Sequence, residues 1–354
     1  MSKILFFGPY SPPVTGQSMA FKTIVNSYKP DRYFLIDTTR FKWRLINSIY
    51  SVLSGLWYLL EKRASIEVVY FTCTRSVLGS FKDLILLLLA GRSKLRIVNH
   101  LHGADFAQFY KNSGLLKPIL KKAYRFVETS IVLTESMVAE FDSFPSMQKK
   151  VVPNFYPKDF DKEIVKGKSV EVVFFSNLIK SKGVLDFLEA CKLVHIERPE
   201  IQFKIAGEFM SDDYCSKEQI ENLTYSFIEQ NKQVNLNFVG KLDPADRFDF
   251  LVDSSIFVLP TYYKSEAFPL TIIEAMRCGN VIIATKHNYL PDVVKSENGM
   301  LVNPNSPKEI KEAIFKYIDD KLLMKKTQDY NMQEAIERYS EVCHLKEVKR
   351  VIGV

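Results

Sequence analysis

Residues 255–279 read SIFVLPTYYKSEAFPLTIIEAMRCG. The opening SIFVLP is a short apolar run with branched side chains, bounded by Pro260, which predicts a buried parallel strand. A polar loop follows, TYYKSEAF, and Pro269 then opens an apolar-periodic segment that stops at Gly279. Proline near the first helical position and glycine just past the last are the punctuation of a helix. The stretch therefore predicts strand, loop and helix, with Glu266 in the loop and Glu274 in the helix. Loops at the carboxyl ends of strands are where open α/β sheets bind ligands. The helix N-terminus there offers unpaired N–H groups and partial positive charge to an anion.

The same alternation extends in both directions. Towards the N-terminus, KILFFG (3–8), YFLID (33–37), IEVVYF (66–71), LRIVNHLH (95–102) and SIVLT (130–134) are strand candidates separated by stretches long enough for crossover helices. A second series comprises VEVVFFS (170–176), IQFKIAG (201–207), VNLNFVG (234–240), SIFVLP (255–260) and NVIIAT (280–285). Repeated strand–helix alternation means βαβ units and a parallel sheet. Between the series, YPKDFDKEIVKGKS (156–169) is polar and without period, and reads as a linker. The segments from about 306 to 352 read as helical. A chain of 354 residues exceeds what one hydrophobic core usually serves.

Composition narrows the class. Hydrophobic residues make up 47% and charged residues 25%, the balance of a globular protein rather than a disordered one. Cysteines 73, 191, 215, 278 and 343 form no C-x-x-C pair, which argues against a zinc site or disulfide framework and fits a reducing, cytoplasmic compartment. The opening MSKILFFGPY does not have the form of a signal peptide, and no run approaches the ~18 apolar residues of a membrane span. Charge is uneven: residues 1–160 hold 22 Lys and Arg against 11 Asp and Glu, and the remainder 26 against 30. A basic first half predicts an anionic surface or ligand on that side.

The segment Glu266-Ala-Phe-Pro-Leu-Thr-Ile-Ile-Glu274-Ala-Met-Arg-Cys-Gly279 resembles the signature of the family 4 retaining nucleotide-sugar glycosyltransferases. They carry two glutamates eight positions apart, a small-aromatic-Pro-Leu step between them, and a Gly-ended helix. Spacing alone carries little, since Glu163/Glu171, Glu189/Glu197, Glu200/Glu208 and Glu221/Glu229 share it; the strand–loop–helix context separates Glu266/Glu274. The resemblance implies the GT-B arrangement: an α/β protein of two doubly wound, Rossmann-like domains facing each other across a cleft. The expected division is 1–158 for an acceptor-side domain and 159–333 for a donor domain, with a C-terminal helix within 334–354 packing back on the first.

Other motifs fit the same resemblance. In FFSNLIKSKGVLDFLEA (174–190), Lys182-Gly183 matches the family's Lys-Gly step, while Ser176-Asn177 stands where the family commonly has Gly-Arg. The resemblance implies that Lys182 holds the donor diphosphate. A cation is needed because charge builds on that leaving group as the bond breaks. Asn177 can only donate a hydrogen bond, and a solvated lysine at a helix start is the local alternative for Lys182. In FGPYSPPVTGQSMA (7–20) only Gly16 matches the family's glycine loop, and a plain β-to-α turn is the alternative. No G-x-G-x-x-G is present, which counts against a dinucleotide dehydrogenase. His102-Gly103 matches the family's His-Gly at a strand end, with the imidazole near the reacting sugar; His100 points the same way two residues earlier. A structural histidine is the alternative for both.

The resemblance assigns Glu266, with the backbone of Ala267 and Phe268, to the donor sugar. It assigns Pro269, Leu270 and Thr271 to the diphosphate and Glu274 to the ribose. Thr271-x-x-Glu274 also has capping-box spacing, so Glu274 has a local alternative. Asp159-Phe160-Asp161 falls in the linker rather than at a strand end; no metal and no cofactor is expected.

Residues 41–63 and 81–96 are apolar with basic flanks. Leu45, Ile49, Val52, Leu53, Leu56 and Leu60 form a helical stripe. A helix packed on the sheet is the plain expectation; an interfacial helix drawn by Lys and Arg to anionic lipid is the alternative, supported by Lys117, Lys121, Lys122 and Arg125. No nucleic-acid module is present, so nucleic acid is not an expected partner.

The combined expectation is retaining, metal-independent transfer of a hexose or N-acetylhexosamine from a nucleoside-diphosphate sugar, UDP favoured, to a hydroxyl acceptor. A lipid-linked saccharide of a surface polysaccharide is the expected acceptor, handled at the inner face of the cell membrane. The resemblance implies a front-face reaction, with Glu266, His102 and Lys182 at its centre. A nucleotide-sugar 2-epimerase, or a non-catalytic membrane-associated nucleotide-sugar binder, are the alternatives. A phosphorylase would need a pyridoxal-phosphate lysine site that has no match.

Overall fold

The computed structural model describes residues 2–12, 15–164 and 170–353. The chain divides into two compact units, residues 1–154 with 342–354, and residues 155–341. The divisions fall four residues before the expected 158/159 step and after, not before, residues 334–341. The end of the expected linker, 165–169, and Pro13-Val14 of the first loop lie outside the described residues.

The first unit runs β1 (Lys3–Gly8), α1 (Gly16–Asn26), β2 (Tyr33–Asp37), α2 (Arg44–Glu61), β3 (Ile66–Thr72), α3 (Val77–Arg92) and β4 (Arg96–His100). It continues with α4 (Phe106–Lys111), α5 (Lys117–Tyr124), β5 (Thr129–Val132) and β6 (Gln148–Val151). The second unit runs β7 (Glu171–Phe175), α6 (Val184–Glu197), β8 (Gln202–Ala206), α7 (Lys217–Gln230), β9 (Leu236–Gly240), α8 (Arg247–Val252) and β10 (Ile256–Leu259). Then come α9 (Leu270–Arg277), β11 (Val281–Thr285), α10 (Leu290–Val293), β12 (Gly299–Val302), α11 (Pro307–Asp319) and α12 (Lys321–Arg338). Finally α13 (Glu341–Ile352) lies almost entirely in the first unit.

Among the described residues the strands form two six-stranded parallel sheets, ordered β2-β1-β3-β4-β5-β6 and β12-β11-β10-β7-β8-β9. Central strands such as β7, β10 and β11 are buried at every position, as sheets covered on both faces require. The strands that the sequence pattern did not announce, β6 and β12, are both edges. β6 is QKKV, half-exposed, and carries no apolar run to signal it.

One face of the first sheet packs Ile4, Phe6, Val68, Tyr70 and Val98 against Phe21, Ile24 and Val25 of α1 and Val348, Val351 and Ile352 of α13. Arg96 holds the end of α13: its Nη1 donates to the Ile352 carbonyl at 2.6 Å and its Nη2 to the Val351 carbonyl at 2.7 Å. Those carbonyls have no partner within the helix, so the guanidinium satisfies both orphan acceptors and the negative end of the helix dipole.

Helices α2, α3 and α5 cover the other face, as right-handed crossovers from β2, β3 and β4 dictate. The helix expected within residues 41–63 packs in this layer, but only Val52 and Leu56 of its apolar stripe are half-buried. Helix α2 turns Ser51, Gly55 and Leu59 inward, while Leu45, Ile49, Leu53 and Leu60 point to solvent. The small side of α2 packs on α3, where a Cβ at Gly55 would lie 3.9 Å from Leu86 Cδ1. The buried side of α2 is thus its small side, and most of the apolar stripe is left outside.

Replacing Arg96 by Ala removes two charge-assisted hydrogen bonds of α13. The expected loss is about 2–3 kcal/mol, read in urea unfolding of the full chain, with faster amide exchange confined to α13. Unchanged exchange there would show that Arg96 does not hold the helix.

Candidate functional site

The second sheet reverses direction once. The chain passes from β7 outward to β8 and β9, then crosses back to lay β10 on the other side of β7. The loops leaving β7 and β10 therefore emerge side by side at the carboxyl edge, the switch point at which doubly wound sheets bind ligands.

The two loops are fastened to each other. After β7 come Ser176 and the exposed Asn177, then a 3-10 turn over Lys180–Lys182 and Gly183, which opens α6 with φ of +81°. A Cβ on Gly183 would collide with the carbonyl of Pro260, so glycine serves both the left-handed backbone and the close approach. Tyr262 N donates to the Ser181 carbonyl at 2.7 Å, and the Thr261 hydroxyl lies 3.2 Å from the same oxygen. The Asp212 carboxylate accepts from Ser181 N at 2.7 Å and holds the turn from its other side.

This fastening brings Lys182 to Glu266. Lys182 Nζ donates to Glu266 Oε2 at 2.5 Å, and Thr261 Oγ1 is 3.1 Å from the same carboxylate oxygen. The ammonium also lies 5.4 Å from the Tyr263 ring centroid. Glu266 is 6% exposed and pairs with Lys182, so Lys182 is not the solvated helix-start lysine of its local alternative. Glu266 has a structural partner that its sequence context did not announce.

Ala267 and Phe268 are buried beside it, Phe268 with its ring centroid 5.6 Å from that of Tyr339. Pro269 is the N-cap of α9, with Leu270 and Thr271 in its first turn. Gly279, at φ +65°, ends the helix as expected. Helix α9 begins at Leu270 and its N-cap makes no side-chain bond, so Glu274 sits beyond the first turn and no capping box forms.

Glu274 is completely buried, and its Oε1 lies 3.4 Å from Nη1 of Arg247 on α8. Burial pushes its carboxyl up to about 7; Arg247 opposes the rise and Asp159 adds to it. Its other oxygen, Oε2, is buried without a hydrogen-bond partner. Such an acceptor is costly unless a ligand or water donates to it.

In the first unit, Gly16 is exposed as the first residue of α1, behind a Thr15–Ser18 capping box, the local arrangement of a β-to-α turn. His100 is fully buried at the end of β4, its Nδ1 2.6 Å from the Tyr70 hydroxyl. His102 lies over it, ring centroids 4.0 Å apart, and His344 of α13 stacks on His100 at 6.0 Å. Both ring nitrogens of His102 are buried without a hydrogen-bond partner, while His344 Nδ1 donates to the Pro153 carbonyl at 2.7 Å. Arg75 pairs with Asp105 beside Gly103, where a Cβ would meet the guanidinium. Burial holds all three histidines neutral: His102 is lowered to about 3, His344 to about 4, and His100 well below its usual range.

Asp159-Phe160-Asp161 is splayed. Phe160 is buried and Asp161 accepts from the Tyr156 hydroxyl at 2.9 Å. Among the described residues no three His, Cys, Asp or Glu side chains gather as a metal set. No described helix is long and apolar enough to cross a membrane.

Sequence reasoning missed Thr261, Tyr263, Asp212 and Arg247. Thr261 and Tyr263 lie in the polar loop that follows Pro260, at the strand's carboxyl end. Asp212 and Arg247 come from elements remote in sequence and carry no local signal.

These features define a two-sheet protein of the GT-B fold. The Anabaena protein HepE, solved in complex with UDP, superposes with a TM-score of 0.77 at 16% identity, covering 99% of each chain. The profile of the family described as Glycosyl transferases group 1 matches residues 155–337, more than half of the chain and nearly all of the second unit. The chain belongs to that family. An uncharacterized glycosyltransferase of Methanocaldococcus jannaschii, MJ1178, is 26% identical over 256 residues, 72% of this chain and 67% of that protein. The N,N'-diacetylbacillosaminyl-diphospho-undecaprenol alpha-1,3-N-acetylgalactosaminyltransferase of Campylobacter jejuni is 22% identical over 266 residues, 70% of this chain and 66% of its own. The match to a sucrose synthase of Melioribacter roseus spans only 20% of that protein.

The neutral histidines make the first unit acid-sensitive. Each binds a proton near pH 6.5 when unfolded but not when folded, so its stabilisation is full above pH 6.5 and is lost as pH falls towards 4. Each imidazole kept neutral should cost about 2 kcal/mol by pH 5. Urea midpoints measured between pH 7 and 5 should fall accordingly, and His344→Gln should flatten the slope; equal slopes in both proteins would discount the stack.

Proposed function

We propose that the second unit binds a nucleoside-diphosphate sugar at the loops after β7 and β10, and that the chain transfers the sugar to a hydroxyl acceptor with retention at the anomeric carbon. The observation that carries this reading is the meeting of Lys182 and Glu266 at the switch point, beside the N-terminus of α9. The ammonium and the Pro269-Leu270-Thr271 turn take the diphosphate, where negative charge grows as the glycosidic bond breaks. Glu266, held by Lys182 and Thr261, accepts from sugar hydroxyls, with the Ala267 and Phe268 backbone beside it. Glu274 offers its unpartnered Oε2 to the ribose hydroxyls. Asn177 is exposed at the carboxyl end of β7 and can donate one hydrogen bond to the donor.

The family resemblance puts the loop of Gly16 close to the donor phosphates and the acceptor, and His102 near the reacting sugar. The unpartnered ring nitrogens of a neutral His102 support a hydrogen bond to the sugar. No further general base is invoked: the acceptor oxygen bonds to the anomeric carbon on the face from which the diphosphate departs, and the acceptor proton passes to a phosphate oxygen. Positioning and electrostatics then carry the rate without a metal.

The transferred group is a hexose or N-acetylhexosamine. UDP is the favoured nucleotide, supported by its presence in the HepE complex. The printed activity of the Campylobacter relative supports a lipid-linked saccharide acceptor. The free cysteines support a reducing compartment and so a reaction on the cytoplasmic side. The replacement of the family's arginine by Asn177 favours one second reading, a binder without turnover.

Thermal unfolding with UDP-, GDP- and ADP-sugars should show a shift for the UDP series, because a ligand bound to the native state alone raises its stability. Lys182→Ala and Glu266→Ala should each lower turnover well over tenfold with circular dichroism unchanged. Full activity in Glu266→Ala would remove that residue from the site. An NMR time course with donor alone separates the remaining readings: sugar inversion without acceptor marks an epimerase, and binding without transfer or hydrolysis marks a binder.

A further inference from the structure

Helix α2 is built inside out for a helix in a globular unit. Its inward side is Ser51, Gly55 and Leu59, and its outward side carries Leu45, Ile49, Leu53, Trp57 and Leu60. Trp43, just before the helix, is 69% exposed, Leu53 60% and Leu60 68%. Trp43 and Trp57 are the two tryptophans of the whole chain. Scattered exposed apolar residues need no explanation, but a continuous stripe along 18 residues does.

The residues around this stripe state what covers it. Residues 40–63 hold Arg40, Lys42, Arg44, Lys62 and Arg63 against Glu61 alone. Helix α5 belongs to the same helical layer on this face of the sheet, and residues 111–125 contain five cations and no acid. There Lys117, Lys121, Lys122 and Arg125 are exposed around Ile119, and Leu115 is 98% exposed. Apolar side chains with tryptophan between two cationic clusters match a lipid interface, where indole rings sit at headgroup depth and cations meet anionic headgroups. At 1.5 Å per residue α2 is about 27 Å long and lies flat rather than crossing.

We propose that the outer face of α2, with the cationic tip around α5, docks the first unit onto the surface of an anionic phospholipid bilayer. The inference stands apart from the glycosyl-transfer reading, since it uses none of that site's residues and its primary readout, binding to vesicles, needs no donor or acceptor. If the sugar acceptor is lipid-linked, the same face brings the chain to the surface that holds it.

The two tryptophans are the reporters. Full-length protein is mixed with vesicles of phosphatidylcholine alone or with added phosphatidylglycerol. Trp emission should shift to the blue and be quenched by brominated lipid only with the anionic vesicles, and protein should sediment with them. Leu53→Glu with Leu60→Glu should lower partitioning at least about tenfold, as should Lys121→Glu with Lys122→Glu; circular dichroism and the thermal shift with nucleotide sugars should not change in either pair. Failure to partition, equal partitioning onto neutral vesicles, or unaltered binding by both variants would overturn the proposal. So would a lipid-free dimer in sedimentation velocity that buries both indoles. Loss of glycosyl transfer with vesicle binding intact would sink only the earlier reading.

Discussion

The candidate donor site depends on one close approach, the backbone of Gly183 beneath the carbonyl of Pro260. It joins the end of β7's loop to the end of β10. Everything polar at the switch point follows from it: Ser181 receives Tyr262 N and faces the Thr261 hydroxyl, and Lys182 reaches Glu266 across a gap of 84 positions. A side chain on residue 183 would separate the loops and leave a buried glutamate without its cation. The cost of such an unpaired charge is what makes the arrangement cooperative.

The two carboxylates of the signature are held in opposite ways. Glu266 meets an ammonium at hydrogen-bond distance. Glu274 is deeper, meets Arg247 only at 3.4 Å, and keeps an oxygen unpaired, so burial dominates and its carboxyl rises to about 7. Spacing alone could not distinguish them. A loop carboxylate that is already paired suits reversible exchange with a ligand's hydroxyls and charge. A buried, unsatisfied one suits a donor that arrives with its own hydroxyl protons.

Much of the architecture was legible because parallel strands buried on both faces leave unbroken apolar runs, such as VEVVFFS and NVIIAT. The edges β6 and β12 were not, since an edge strand has one open side and needs no such run. Pro269 and Gly279 marked α9 correctly. Only the backbone showed that Pro269 is the N-cap, which removes Thr271 and Glu274 from any capping box. Residues 41–63 were legible as an amphipathic helix, yet their orientation was not: periodicity says that one side is apolar, not which side the unit accepts. Only the tertiary structure shows that Ser51, Gly55 and Leu59 face in.

By itself the sequence determined the α/β alternation, the strand–loop–helix around Glu266 and Glu274, the Lys182-Gly183 step and the basic first half. These are local patterns, written in periodicity, punctuation and charge. The tertiary structure alone decided that Lys182 and Glu266 pair, that Glu274 is buried with Arg247 and Asp159 near it, that His100, His102 and His344 stack, and that most of the stripe of α2 faces outward. Each of these joins residues far apart in the chain, and such contacts depend on strand order and close backbone approach, which no local pattern encodes.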